Sequence, residues 1–265
     1  MVLQIFDRYI ISLAVLFAIS LISPIFFGSL GFTSKQIAYG LEFYDENEKP
    51  SGISYDDLVA KFWNWDIGQN NDQATPKPNG CLINKVDSMV MLMNTANVVS
   101  PPPQVCKISP DDGIMIPLWI GWCDTGSNGR TSTDEQLLKC AGEQNLGFIK
   151  SDIKVDGVSV GKLDVTRSLI SGSLNYKINV PLGNIIDFSS TKGFALTIPA
   201  DTHFPKQQPG RWRADSQGYW IFLRQLPTGE HTIYYNVRVT PTGPVTSPGT
   251  NPHFADITYK IQVQK

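Results

Sequence analysis

The chain has 265 residues, 42% hydrophobic, 17% charged and 11% aromatic, with a formal net charge of -2. That is long enough to bury a real core, and too apolar and aromatic for global disorder. Near-neutrality excludes the basic footprint of a dedicated nucleic-acid binder. Gly 22 and Pro 18 suit a loop-rich β domain better than a helical bundle.

Tyr9 to Phe27 is an apolar run broken only by serines and Pro24, with no charge between Arg8 and Lys35. About 20 apolar residues cross a bilayer as a helix. Residues 1–31 are therefore expected to be either a signal peptide, cleaved near Ser29-Leu30-Gly31, or an uncleaved membrane anchor. Both place the rest of the chain outside the cytoplasm, secreted or held on the outer face of the membrane. A polar linker is expected over 32–53, and an exported domain over 54–265.

Ser54 followed by Asp57 resembles a capping box, and Leu58, Val59, Phe62 and Trp63 fall at helical spacing, which predicts a helix from Tyr55 to about Trp65. Cys81, Cys106, Cys123 and Cys140 make an even count in an exported chain. Of the three connectivities, Cys81–Cys106 with Cys123–Cys140 closes the shorter loops, each worth roughly 3 kcal/mol; buried thiols are the alternative. The run Ser88 to Met93 reads as a strand buried on both faces. Ile114, Ile116, Leu118, Ile120 and Trp122 share one side of the next strand by period-two alternation.

Ser132 and Glu135 bracket a second helix that carries Leu137, Leu138 and Ala141 and stops at Gly142. From there the chain reads as β. Asp156-Gly157 is a two-residue hairpin signal. Three alternating stretches then put Leu174, Tyr176, Ile178 and Val180, then Ile233, Tyr235, Val237 and Val239, then Ile257, Tyr259, Ile261 and Val263 on the inner side. Pro241 to Pro252 is expected as a long loop. The expected fold is mostly β: an antiparallel β-sandwich of immunoglobulin or jelly-roll type with two short helices.

Six tryptophans raise a sugar-binding reading, since indole faces stack on sugar rings. Trp63 and Trp122 fall on apolar faces, whereas Trp65, Trp119 and Trp212 are surface candidates. Trp212, flanked by Arg211 and Arg213, is expected in a basic loop. Asp111, Asp112 and Asp124 are a weak calcium set around the mouth of the Ile114–Trp122 strand, and no other cofactor is indicated. His203, His231 and His253 show no metal-ligand spacing, and neither G-x-S-x-G nor a P-loop is present, so the chain reads as non-catalytic.

Three segments in common order carry a resemblance: Ser54-Tyr55 with Phe62-Trp63-Asn64-Trp65, Cys106 before Ile114-Met115-Ile116-Pro117, and Gly218-Tyr219-Trp220 before Leu226-Pro227-Thr228-Gly229-Glu230-His231-Thr232-Ile233. Over about residues 54 to 265 they resemble a family of exported bacterial and archaeal proteins without an assigned function. The resemblance implies an exported β-rich domain and supplies no catalytic residue. The sequence therefore predicts a cell-envelope protein that binds a partner protein or a surface glycan. Two other classes stay open, an accessory subunit of a membrane complex and a secreted hydrolase or metal enzyme.

Overall fold

The structure, a computed structural model, describes residues 40–93, 102–128, 131–144, 146–170, 173–204, 207–240 and 253–265. The apolar run 9–27 and the expected loop 241–252 lie outside the described residues. Among those described, no helix is long and apolar enough to cross a membrane.

Among the described residues, twelve strands form two sheets. The first joins β1 (Ile83–Val86), β2 (Met89–Leu92), β4 (Gly113–Asp124) and β10 (Gly210–Leu223); β8 (Ile185–Ser189) and β9 (Phe194–Ile198) share the far edge of β10. The second runs β3 (Gln104–Ile108), β12 (His253–Val263), β11 (Gly229–Thr240), β5 (Gly147–Val155), β6 (Val158–Ile170) and β7 (Ser173–Ile178). The protein is thus the expected β-sandwich. Its sheets are mixed rather than wholly antiparallel, because β2 lies parallel to β4 and β3 parallel to β12.

Two apolar clusters hold these layers. One fills the space between the sheets with Ile116, Tyr219, Ile221, Ile233, Tyr235, Ile257 and Tyr259 among others. The second lies on the outer face of the first sheet, beneath α1 (Tyr55–Gly68). Ser54 caps α1 by accepting from the Asp57 amide, and Leu58, Val59, Phe62, Trp63 and Ile67 are buried against Met115, Trp122, Trp220 and Phe222. Full burial of side chains that size stabilises by roughly 1.5–3 kcal/mol each. Strand β2, sandwiched between the clusters, is buried on both faces as its sequence suggests.

Strand β4 departs from its expected pattern at one point. Tyr219 pairs with Trp119 but Trp220 pairs with Pro117, so Leu118 is an extra, bulged residue. Ile114, Ile116 and Leu118 therefore face the other sheet, whereas Ile120 and Trp122 face α1. Proline, which donates no ladder hydrogen bond, sits beside that bulge. The opposing strand supplies Gly218, where an added Cβ would lie 2.5 Å from the Trp119 carbonyl oxygen and 2.6 Å from Ile120 Cα.

The second helix, α2 (Asp134–Glu143), begins one residue later than expected: Thr133 and Gln136, not Ser132 and Glu135, form the capping box. It runs through Gly142, which is buried. The Asp156-Gly157 turn joins β5 to β6 with positive φ at both residues, the geometry favoured in two-residue hairpins. Both disulfides have the sequential connectivity, Cys81–Cys106 and Cys123–Cys140. The first ties the approach to β1 onto β3 across the two sheets; the second ties α2 to the end of β4.

Within the expected polar linker 32–53, the described residues 41–53 make contacts with the sandwich. Phe43 is buried and bridges to Leu223, the Tyr55 hydroxyl donates to the Asp45 carbonyl, and Arg224 pairs with Glu48 while covering the Tyr44 ring. One expectation is corrected: in β7, Tyr176 and Ile178 are exposed rather than inward and buried, because β7 is the last strand of its sheet and overhangs the core.

Gly218→Ala should force the β4–β10 bulge apart and cost about 2–3 kcal/mol in urea unfolding, since its Cβ meets backbone. Non-reducing peptide mapping of native protein should recover both disulfide-linked pairs and no alkylated cysteine.

Candidate functional site

The predicted tryptophan site is dispersed. Trp65 is half-buried on α1, edge-on to Phe62 at 5.9 Å. Trp119 is half-buried against the inter-sheet core, on the opposite face of the first sheet. Trp212 belongs to β10, not to a loop, and pairs with Leu196 of β9. Its ring lies over Gly126, so close that a Cβ there would sit 2.5 Å away, and its Nε1 donates to the Gln208 carbonyl at 2.8 Å. Arg213 is ion-paired with Asp134, while Arg211 is exposed. The set Trp65, Trp119, Trp212, Arg211 and Arg213 therefore lines no common cleft.

β10 varies in size along its helix-facing side. Two of its helix-facing positions are small for reasons of close approach: the Trp63 indole reaches Ser216, and the Trp119–Ile120 backbone of β4 crowds Gly218. The Trp63 Nε1 donates to Ser216 Oγ at 2.8 Å, and that hydroxyl donates to the Gly121 carbonyl.

The carboxylates do not converge either. Asp111 and Asp112 precede β4 and Asp124 ends it, roughly 40 Å apart along an extended strand. Asp112 is engaged by Lys85 Nζ at 2.8 Å and the Ser109 amide, and Asp124 accepts from the Ser127 amide. Among the described residues no three metal-capable side chains gather. The donor set does not fit calcium.

Because α1 covers the first sheet, the open surface of the sandwich is the outward face of the second. Outward positions alternate with the buried ones: Phe148, Lys150, Asp152 and Lys154 on β5; Lys162, Asp164 and Thr166 on β6; Asn175, Lys177 and Asn179 on β7 and just beyond. The same rows continue through Thr240, Arg238, Asn236 and Tyr234 of β11 to Phe254, Asp256 and Thr258 of β12. Phe148 and Phe254 are 48% and 51% exposed, large apolar rings on an otherwise polar face.

A depression of about 560 Å³ opens beside Phe148, over β5, β6 and β7, and Tyr176 borders it from the edge strand. Its polar wall is already ordered. Asp164 accepts from Asn179 Nδ2 at 2.8 Å and pairs with Lys150 at 3.3 Å. The Asn179 hydrogen bond, with Lys150 beside it, holds the Asp164 carboxyl below its usual range, so it is an anionic acceptor at neutral pH. Thr166, Ser168, Asn175 and Lys177 add neutral and cationic donors around it.

β6 is held from behind by Arg167, which is fully buried. Its Nε donates to the Tyr219 hydroxyl at 2.9 Å, Nη1 to Gln217 at 3.1 Å and Nη2 to Asp187 at 3.0 Å. Thr166 and Ser168, flanking Arg167, are thereby fixed on the outward side. Sequence reading missed this face. Its signal was Phe148, an aromatic in the wetted register of a strand whose Ile149, Ile153 and Val155 point inward.

Asp66 is the other unusual group. It is 2% exposed on α1, its Oδ1 accepts no hydrogen bond among the described residues, and burial pushes its pKa up to about 8. It does not border the Phe148 depression.

No protein-family model and no curated protein matches the chain. One similar solved structure, described as the solution structure of amebosin, has 14% identity and a TM-score of 0.21, covering 61% of this chain and 89% of that one. That likeness carries no argument about fold or function.

Two outcomes are expected. The folded state holds the Asp66 proton that the unfolded chain releases between about pH 4 and pH 8, so stability should fall with rising pH across that window, by up to about 1.4 kcal/mol per unit. Asp66→Asn should flatten this slope in unfolding curves collected at several pH values. Arg167→Ala would empty a fully buried site and leave the half-buried Asp187 without its cation, and should cost about 3 kcal/mol in the same measurement.

Proposed function

We propose that this protein is an extracytoplasmic, non-catalytic β-sandwich of the cell envelope that binds a surface glycan on the outward face of its second sheet. The observation that carries the reading is the Phe148 depression. An exposed ring stands beside a fixed set of donors and acceptors, Asp164, Asn179, Asn175, Thr166 and Lys177. A pyranose offers an apolar face to stack on a ring and hydroxyls that both donate and accept. Preordered polar groups bind such a ligand without the entropic cost of arranging them.

Two disulfides and the apolar run at residues 9–27 support placement outside the cytoplasm, by secretion or by anchoring on the outer face of the membrane. Membership of an exported family without an assigned function, suggested by the Trp-rich helix and the Pro227-Thr228-Gly229-Glu230-His231 segment, agrees with this reading.

The test is retention of the folded protein on isolated cell-wall or surface polysaccharide. Phe148→Ala should reduce retention at least several-fold with an unchanged melting temperature. Trp212→Ala should leave retention intact and lower the melting temperature, because that ring packs against Gly126. The opposite pattern would move the site to the tryptophans and sink the proposal.

A further inference from the structure

We infer that the glycan taken by this face is anionic, a polymer bearing carboxylates, and that it lies across the strands rather than along one of them. This rests on the glycan reading above and specifies its ligand. Among the described outward positions of the second sheet stand seven cations, Lys107, Lys150, Lys154, Lys162, Lys177, Arg238 and Lys260, against four carboxylates, Asp152, Asp164, Glu230 and Asp256. The face is thus +3 on a chain whose formal charge is -2. The rest of the molecule is correspondingly negative, which turns this face toward a polyanion.

Pairing sharpens the asymmetry. Lys150 and Lys154 are occupied by Asp164 and Asp152 at 3.3 and 3.5 Å. Lys162, Lys177 and Arg238 make no ion pair among the described residues, and they stand on β6, β7 and β11. Such cations have no internal partner to lose when a ligand carboxylate arrives. Direction follows from the same rows. Arg238, Lys150, Asp164 and Asn179 lie in one line across four strands, with Phe254 at one end and the Phe148 depression beside the other. Neighbouring strands are about 4.8 Å apart, close to the length of one sugar unit, so a chain laid across them meets a new row with each residue.

Polygalacturonate and its fully methyl-esterified form separate charge from shape. By calorimetry or affinity electrophoresis, the full protein should bind polygalacturonate at least tenfold more tightly than the ester, and the preference should shrink between 50 mM and 500 mM salt, as screening requires. Lys177→Gln combined with Arg238→Gln, both at the surface, should remove most of the preference without changing the melting temperature. Equal, salt-insensitive binding of acid and ester would overturn the anionic ligand and leave glycan binding standing. Binding of neither polymer, together with no retention on native polysaccharide, would overturn both. Vesicles containing phosphatidylserine provide the last arm: capture by vesicles but not by polygalacturonate would reassign the face to a lipid surface.

Discussion

The arrangement depends on one constraint: the β4–β10 pair is buried on both of its faces. One side packs against the second sheet and the other lies beneath α1. A strand in that position has no wetted face, and its sequence must satisfy two cores at once. The Leu118 bulge is how β4 does so, turning Ile120 and Trp122 toward the helix after Ile114, Ile116 and Leu118 have served the inter-sheet space. Gly218 on β10 permits the backbones to approach closely enough for that turn.

The same constraint decides where a ligand can bind. With the first sheet occupied on both sides, its tryptophans pack: Trp63 over Ser216 and Trp122 against Trp63, as their apolar faces suggest, and the binding candidate Trp212 over Gly126. The face left to solvent belongs to the second sheet, whose β5–β6 centre is braced by Arg167 across the core to Tyr219, Gln217 and Asp187. A buried arginine costs desolvation, and replacing a whole buried ion pair by apolar residues of similar volume is often harmless to stability, whereas removing one partner alone is not. The value of Arg167 at this position is that it fixes the strand presenting Thr166 and Ser168.

Much of the fold was legible. The Ser54 cap and the Leu58/Phe62 spacing located α1, Asp156-Gly157 located the β5–β6 hairpin, and strict alternation located β11 and β12 with their inward residues. What escaped has physical reasons. β10 hides behind Ala214, Ser216 and Gly218, small rather than apolar where the Trp63 indole reaches Ser216 and the β4 backbone crowds Gly218. β7 alternates correctly, yet its expected inner side is exposed because an edge position is a property of sheet order, which local sequence does not encode. The candidate site was the least legible part. Its residues come from five strands, and only Phe148 and Phe254 broke the polar register.

The most direct test is a backbone amide NMR titration of the folded domain with an acidic galacturonate oligosaccharide. The account predicts shift changes confined to β5, β6, β7, β11 and β12, strongest near Phe148, Lys177 and Arg238, with α1 and the Trp212 strand end unmoved. Perturbations centred on Trp65, Trp119 or Trp212, or none at saturating ligand, would contradict it.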